Sequence, residues 1–131
     1  MKENSFLEKL QPIFGSYPQI KLVYFFGSRS EGKEGPLSDY DFAFYLDEKD
    51  KKKISEIQFE LMDKISRVLK TDKIDIVMIN LVESPELKYN IIKDGKLIYE
   101  KEPFKVLIEP QILNEYFDFK LSLKKFNLTK D

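Results

Sequence analysis

The run Ile20-Lys21-Leu22-Val23-Tyr24-Phe25-Phe26-Gly27-Ser28 is followed, after ten more residues, by Asp39-Tyr40-Asp41-Phe42-Ala43-Phe44-Tyr45-Leu46. β-Branched and aromatic residues dominate the first seven positions, and Gly27 ends the run, so Ile20 to Phe26 reads as a largely buried strand. Ser28 to Ser38 is polar and carries Gly32, Gly35 and Pro36, which makes it a loop. A second strand runs from Asp39 to Leu46. Side chains alternate along a strand, so Asp39 and Asp41 project to one side and Tyr40 and Phe42 to the other.

Outward from this pair, the chain alternates helix and strand. Phe6, Leu7, Leu10, Ile13 and Phe14 have helical spacing and predict a helix over Ser5 to Tyr17, capped by Asn4 or Ser5 and ended by Gly15 and Pro18. After a charged turn, Asp47 to Lys53, the residues Ile54, Ile57, Leu61, Ile65, Val68 and Leu69 mark a long amphipathic helix. Lys51-Lys52-Lys53 reads as its solvated start. Lys73 to Leu81 is a third strand. Ser84 caps a short helix with Pro85 at its first position, ending near Asp94-Gly95, and Lys96 to Glu100 is a fourth strand. Phe104 to Leu128 reads as a helix interrupted or started at Pro110. The expected fold class is α/β (α+β): a mixed sheet of four to five strands flanked by helices, in one domain spanning 1–131.

Composition narrows the chemistry. The 131 residues include 22 Lys plus Arg and 23 Asp plus Glu, for a net charge of -1, so bulk electrostatic binding of nucleic acid is not expected. There is no Cys and no His. Disulfides, thiolate nucleophiles, Cys/His zinc sites and Ser-His-Asp relays are therefore excluded. No apolar run approaches the roughly 20 residues that cross a bilayer, and Met1 to Leu10 lacks a signal-peptide core. The expectation is a soluble, cytoplasmic domain whose catalysis, if any, uses carboxylates, hydroxyls, Lys, Arg or an oxygen-ligated metal.

Asp39 and Asp41 on one strand face repel each other, and a cation between them removes that penalty. Oxygen-only ligands suit Mg²⁺ or Mn²⁺. Asp75 lies within Ile74-Asp75-Ile76-Val77-Met78-Ile79, where a lone acid is costly unless paired, hydrogen-bonded or metal-bound. If its strand adjoins that of Asp39 and Asp41, the three acids converge at one edge of the sheet. Such a cluster can hold two metal ions about 4 Å apart, a clamp suited to phosphoryl transfer. At Gly27-Ser28 the backbone can approach a ligand closely, and its N–H groups and the Ser28 hydroxyl can bind phosphate oxygens. No P-loop and no dinucleotide fingerprint is present. Taken singly, Ser38-Asp39 is an ordinary turn pair, Gly27-Ser28 an ordinary strand end, and Asp75 a partner for Lys73. Taken together, Gly-Ser, ten residues and Asp-x-Asp arise by chance in roughly one chain of several hundred at average residue usage.

These residues resemble the DNA polymerase β superfamily of nucleotidyltransferases, and the short Gly27-Ser28-Arg29-Ser30-Glu31-Gly32 opening looks most like its minimal branch, the MNT domains. The resemblance covers roughly the first hundred residues. It implies that Gly27 and Ser28 contact nucleotide phosphates, with Arg29 and Ser38 beside them, and that Asp39, Asp41 and Asp75 hold Mg²⁺ and perform the catalysis. The loop departs from the Arg-rich family pattern by placing Glu31 and Glu34 among Arg29 and Lys33.

The tail carries a second match. Glu109 and Asn114-Glu115-Tyr116-Phe117-Asp118-Phe119-Lys120 resemble the closing helix of MntA-type antitoxins, which pair with HEPN ribonuclease toxins. That resemblance implies transfer of AMP from ATP onto a toxin tyrosine. Read from its residues alone, the tail has apolar positions too widely spread for one narrow stripe, so part of 104–128 is either a partner-binding surface or cover for the chain's own sheet. Two other functions fit the same residues. One is modification of a small molecule, as in aminoglycoside nucleotidyltransferases, with a homo-oligomer supplying the missing wall of the acceptor site. The other is a non-catalytic antitoxin that binds and occludes its partner.

Overall fold

The computed structural model describes residues 2–26 and 40–126. Its elements run α1 (Lys2–Gly15), β1 (Ile20–Phe26), β2 (Tyr40–Leu46), α2 (Lys51–Leu69), β3 (Ile74–Met78), a 3₁₀ turn (Ile79–Leu81), α3 (Pro85–Asp94), β4 (Lys96–Glu100) and α4 (Phe104–Lys125). The four strands form one sheet in the order β3-β2-β1-β4. β1 is antiparallel to both β2 and β4, and β2 is parallel to β3. The expected mixed, helix-flanked sheet is what the chain builds.

Alternation along the strands divides the core into two layers. Val23, Phe25, Phe42, Phe44, Ile74, Ile76 and Met78 face α1 and α2, where they bury Leu10, Phe14, Ile54, Ile57, Leu61 and Ile65. Phe14 meets the Phe44 and Tyr99 rings edge-on, at centroid distances of 5.6 and 5.5 Å. On the opposite face Leu22, Tyr24 and Ala43 pack against Ile91 of α3 and Ile112 of α4. This second layer is smaller and includes polar ties: the Tyr24 hydroxyl donates to Glu109 Oε2 at 2.6 Å, and Lys88 Nζ lies 2.7 Å from Glu115 Oε1. Tyr89 and Tyr116 stack with centroids 3.9 Å apart and planes 4° from parallel.

Local signals explain most boundaries. Asp50 accepts from the Lys52 N–H to start α2, so Lys51 to Lys53 are its exposed first turn rather than part of the preceding turn. Ser84 accepts from the Leu87 N–H and Pro85 opens α3, as the sequence indicated. Gly95 ends α3 where a Cβ would collide with the Ile91 carbonyl oxygen.

Three expectations need correction. α1 begins at Lys2, ahead of the anticipated cap, and tolerates Pro12 on its exposed side. β3 stops at Met78, because Ile79 to Leu81 turn into a 3₁₀ segment. Neither interrupted nor started at Pro110, α4 runs unbroken through it, since the carbonyl deprived of a donor belongs to solvent-facing Val106. β2 is described from Tyr40, and Asp39 lies outside the described residues.

Burial sets an alkaline limit on stability. Desolvation pushes the phenols of Tyr17, Tyr24 and Tyr45 above their ordinary range, most strongly at Tyr24, where Glu109 disfavours a second negative charge. A folded-state pKa above the unfolded value of about 10 means that the stabilisation is complete below that pH and is lost as pH rises past it. Urea titrations between pH 8 and pH 11 are expected to show stability falling above about pH 10, with a shallower fall in Tyr24→Phe.

Candidate active site at the β2–β3 edge

The two described candidate acids are neighbours. In the parallel ladder Asp41 stands directly opposite Asp75, with Phe42 opposite Ile76 and Ala43 opposite Val77. Adjacent strands lie about 4.8 Å apart. Asp41 shares a strand face with Ala43, and Asp75 with Val77, so both acids are on the side covered by α3 and α4, at the end where β2 and β3 begin. Asp41 is half-buried and Asp75 exposed.

Three sets of hydrogen bonds fix this register. The Tyr40 N–H donates to the Lys73 carbonyl at 3.0 Å, extending the ladder beyond the acids. At the far end the Asn80 side chain accepts from the Leu46 N–H at 2.9 Å and donates to the Leu46 carbonyl at 2.7 Å. From α2, Gln58 Nε2 donates to the Ile76 carbonyl at 2.8 Å. Ile74, Ile76 and Met78 are buried beneath α2, which leaves Asp75 the opposite, outward face.

Paired register puts like charges directly across a ladder, which destabilises the sheet on its own. Among the described residues the Asp75 carboxylate makes no salt bridge. Two hard carboxylates set directly across the ladder on one strand face fit a divalent cation bound through oxygen. No group of three or more acids able to hold a metal occurs among the described residues, because Asp39 lies outside them. Gly27, Ser28, Arg29 and Ser38 also lie outside the described residues.

One neighbour escaped the sequence reading. Phe26, the last residue of β1, is in register with Asp41 on its other side and packs against the α3/α4 layer. Its position follows from alternation with Tyr24, yet nothing in the sequence fixes how β1 and β2 align. Away from the acids, a cavity of about 160 Å³ lies at the opposite end of this face, lined by Tyr45, Asn80, Lys88, Ile108, Ile112 and Glu115. No described helix is long and apolar enough to cross a membrane.

Replacing Asp75 by Asn is expected to raise the thermal unfolding midpoint in EDTA, since the Asp41–Asp75 repulsion is relieved. Mg²⁺ is expected to raise the midpoint of the unaltered chain, and the same change should remove that rise. Calorimetry with and without the ion measures both effects.

Comparison with known proteins places this geometry. A family model described as polymerase beta, nucleotidyltransferase, matches residues 8–104. Protein adenylyltransferase MntA of Aphanizomenon flos-aquae (strain 2012/KM1/D3) is 35% identical over 92 residues, which are 64% of this chain and 59% of that protein. The match therefore spans less than two thirds of that relative's length. Among solved structures, a chain of a toxin–antitoxin complex with AMP-PNP is similar at a TM-score of 0.72 and 22% identity, covering 96% of this chain and 95% of that one. A chain from the complex of tri-AMPylated Shewanella oneidensis HEPN toxin with MNT antitoxin gives a TM-score of 0.72 at 19% identity, over 94% and 93% of the two chains. At such identities these likenesses establish the fold.

Proposed function

The chain belongs to the polymerase β nucleotidyltransferase family, and from that premise we propose that it transfers AMP from ATP to the hydroxyl of a tyrosine on a HEPN-type ribonuclease toxin, acting as an antitoxin. The observation that carries the reading is the Asp41–Asp75 pair, held in register on one strand face at the end of the β2–β3 ladder. The relative named as a protein adenylyltransferase and the fold shared with chains of toxin–antitoxin complexes support the choice of acceptor. In this reading 1–131 is a single minimal nucleotidyltransferase domain working in the cytoplasm, where ATP is at hand.

The roles divide by position. Asp39, Asp41 and Asp75 hold one or two Mg²⁺ ions, with Mn²⁺ as a chemical substitute. Bound Mg²⁺ supplies positive charge against the phosphate oxygens and favours the ionised form of an acceptor hydroxyl. Gly27 and Ser28 grip the β- and γ-phosphates through backbone N–H groups and the serine hydroxyl, while Arg29 and Ser38 contact the nucleotide beside them. The acceptor oxygen attacks the α-phosphorus in line, the bond to the β-phosphate's bridging oxygen breaks, and pyrophosphate leaves. Asp75, exposed at the strand edge, takes the proton from the acceptor hydroxyl on a carboxylate oxygen, since the chain has no His for the task. AMP on a toxin tyrosine adds bulk and negative charge where RNA phosphates must bind, which silences a ribonuclease.

The test uses ATP labelled on the α-phosphate, Mg²⁺, this chain and the protein encoded in the neighbouring reading frame. Label is expected on that protein's tyrosine, and Asp41→Asn should lower the rate by about a hundredfold or more, as loss of a direct metal ligand does. Protection against the toxin that survives Asp41→Asn with no label transferred would instead establish silencing by occlusion. Label found only on small molecules would overturn the protein acceptor.

A further inference from the structure

α4 is apolar on two sides. Its inward positions Ile108, Ile112, Tyr116 and Phe119 lie over the sheet and α3 or beside them, which is what a covering helix requires. A second series, Val106, Pro110, Leu113, Phe117 and Leu121, recurs at steps of four and three on the outward side. Val106 is 71% exposed, Phe117 54% and Leu121 64%. At 22 residues the helix is about 33 Å long, and the stripe runs along most of it, covered among the described residues only at Leu113, which is half-buried, and where the Phe117 ring meets Tyr89 edge-on. An apolar stripe of this regularity matches a helix-in-groove surface rather than scattered exposed side chains.

We propose that this outward stripe is where the protein carrying the acceptor hydroxyl docks, and that this partner meets it with apolar side chains ringed by carboxylates. The proposal rests on the protein acceptor argued above. Charge selects the partner's rim: Glu109 is taken by the Tyr24 hydroxyl and Glu115 by Lys88, so the C-terminal half of α4 presents Lys120, Lys124 and Lys125 with Asp118 as its one remaining acid. A second copy of the chain fits less well. Parallel pairing sets these lysines against each other, and antiparallel pairing sets them toward Lys105. Position selects the partner's task, because α4 lies on the same face of the sheet as Asp41 and Asp75. The family match also ends at residue 104, the first residue of α4, so the helix stands outside the part shared with nucleotidyltransferases at large.

Isothermal titration of the full chain with the protein encoded in the neighbouring reading frame tests the proposal, alongside transfer of labelled AMP. Phe117→Glu with Leu121→Glu is expected to weaken association about tenfold or more and to raise the KM for the protein acceptor. Affinity for ATP with Mg²⁺ should stay unchanged, which separates lost docking from lost folding, and Phe117→Leu should restore binding. Wild-type binding by the double variant, with transfer intact, overturns the docking surface and leaves the AMP-transfer reading standing. Association that depends on the stripe but moves no label supports the docking surface and overturns the transfer reading. Failure of the wild-type chain to bind that protein overturns the docking proposal. So does self-association of the chain that the double variant abolishes, because the stripe then belongs to a second copy.

Discussion

The rest of the structure depends on the register of the parallel β2–β3 pair. Asp41 lies beside Asp75 only in this alignment, and a slip of one residue would turn Asp75 under α2, into the apolar layer. The alignment opposes a local electrostatic cost, so something else must hold it. Burial of Ile74, Ile76 and Met78 against α2 does most of this, because every alternate side chain of β3 would lose its apolar surroundings in another register. The Gln58, Asn80 and Tyr40 hydrogen bonds then satisfy backbone groups at the middle and both ends of the ladder.

The two faces of the sheet divide the labour accordingly. The α1/α2 face is thick with aromatic rings and fixes the strands. The α3/α4 face carries the acids at one end and is held by fewer apolar contacts, supplemented by directional ties such as Tyr24 to Glu109 and Lys88 to Glu115. Burial of the Tyr24 phenol makes its link to Glu109 stronger than a surface hydrogen bond, since the phenol cannot readily exchange its partner for water. The sheet face that bears the acids is thereby tied directly to the helix outside the family match.

Much of this was legible in the sequence where one local signal dominates. Period-two alternation located the strands, helical spacing with Ser84-Pro85 located α2 and α3, and the isolated Asp75 stood out because an acid in an apolar strand demands a reason. The misreadings fall where tertiary context decides. Pro110 looked like a helix break, yet its cost is small on a solvent-facing side, and no sequence rule says which side that will be. Ile79 continued the alternation of β3 but lies in the turn that positions Asn80 for Leu46, a partner 34 residues away. Likewise Phe26 beside Asp41, and Asp41 beside Asp75, are juxtapositions of distant segments that no periodicity contains. The spacing of Gly27-Ser28 from Asp39 and Asp41 remains a sequence argument, because all but Asp41 lie outside the described residues.

β3 is an edge strand, short and rich in β-branched residues, with one side of its backbone unpaired within the described sheet. Ile-Asp-Ile-Val-Met without its acid would be a ready template for strand addition by another molecule. Asp75, exposed near the start of that edge, forces any incoming strand to take a charge into the new ladder, so the residue proposed as a metal ligand also guards against strand addition. With the role proposed for Asp75 the two demands act together on the position: an apolar replacement would remove the proposed metal ligand and at the same time open the edge to strand addition, whereas Asn or Ser would remove the first with less exposure to the second.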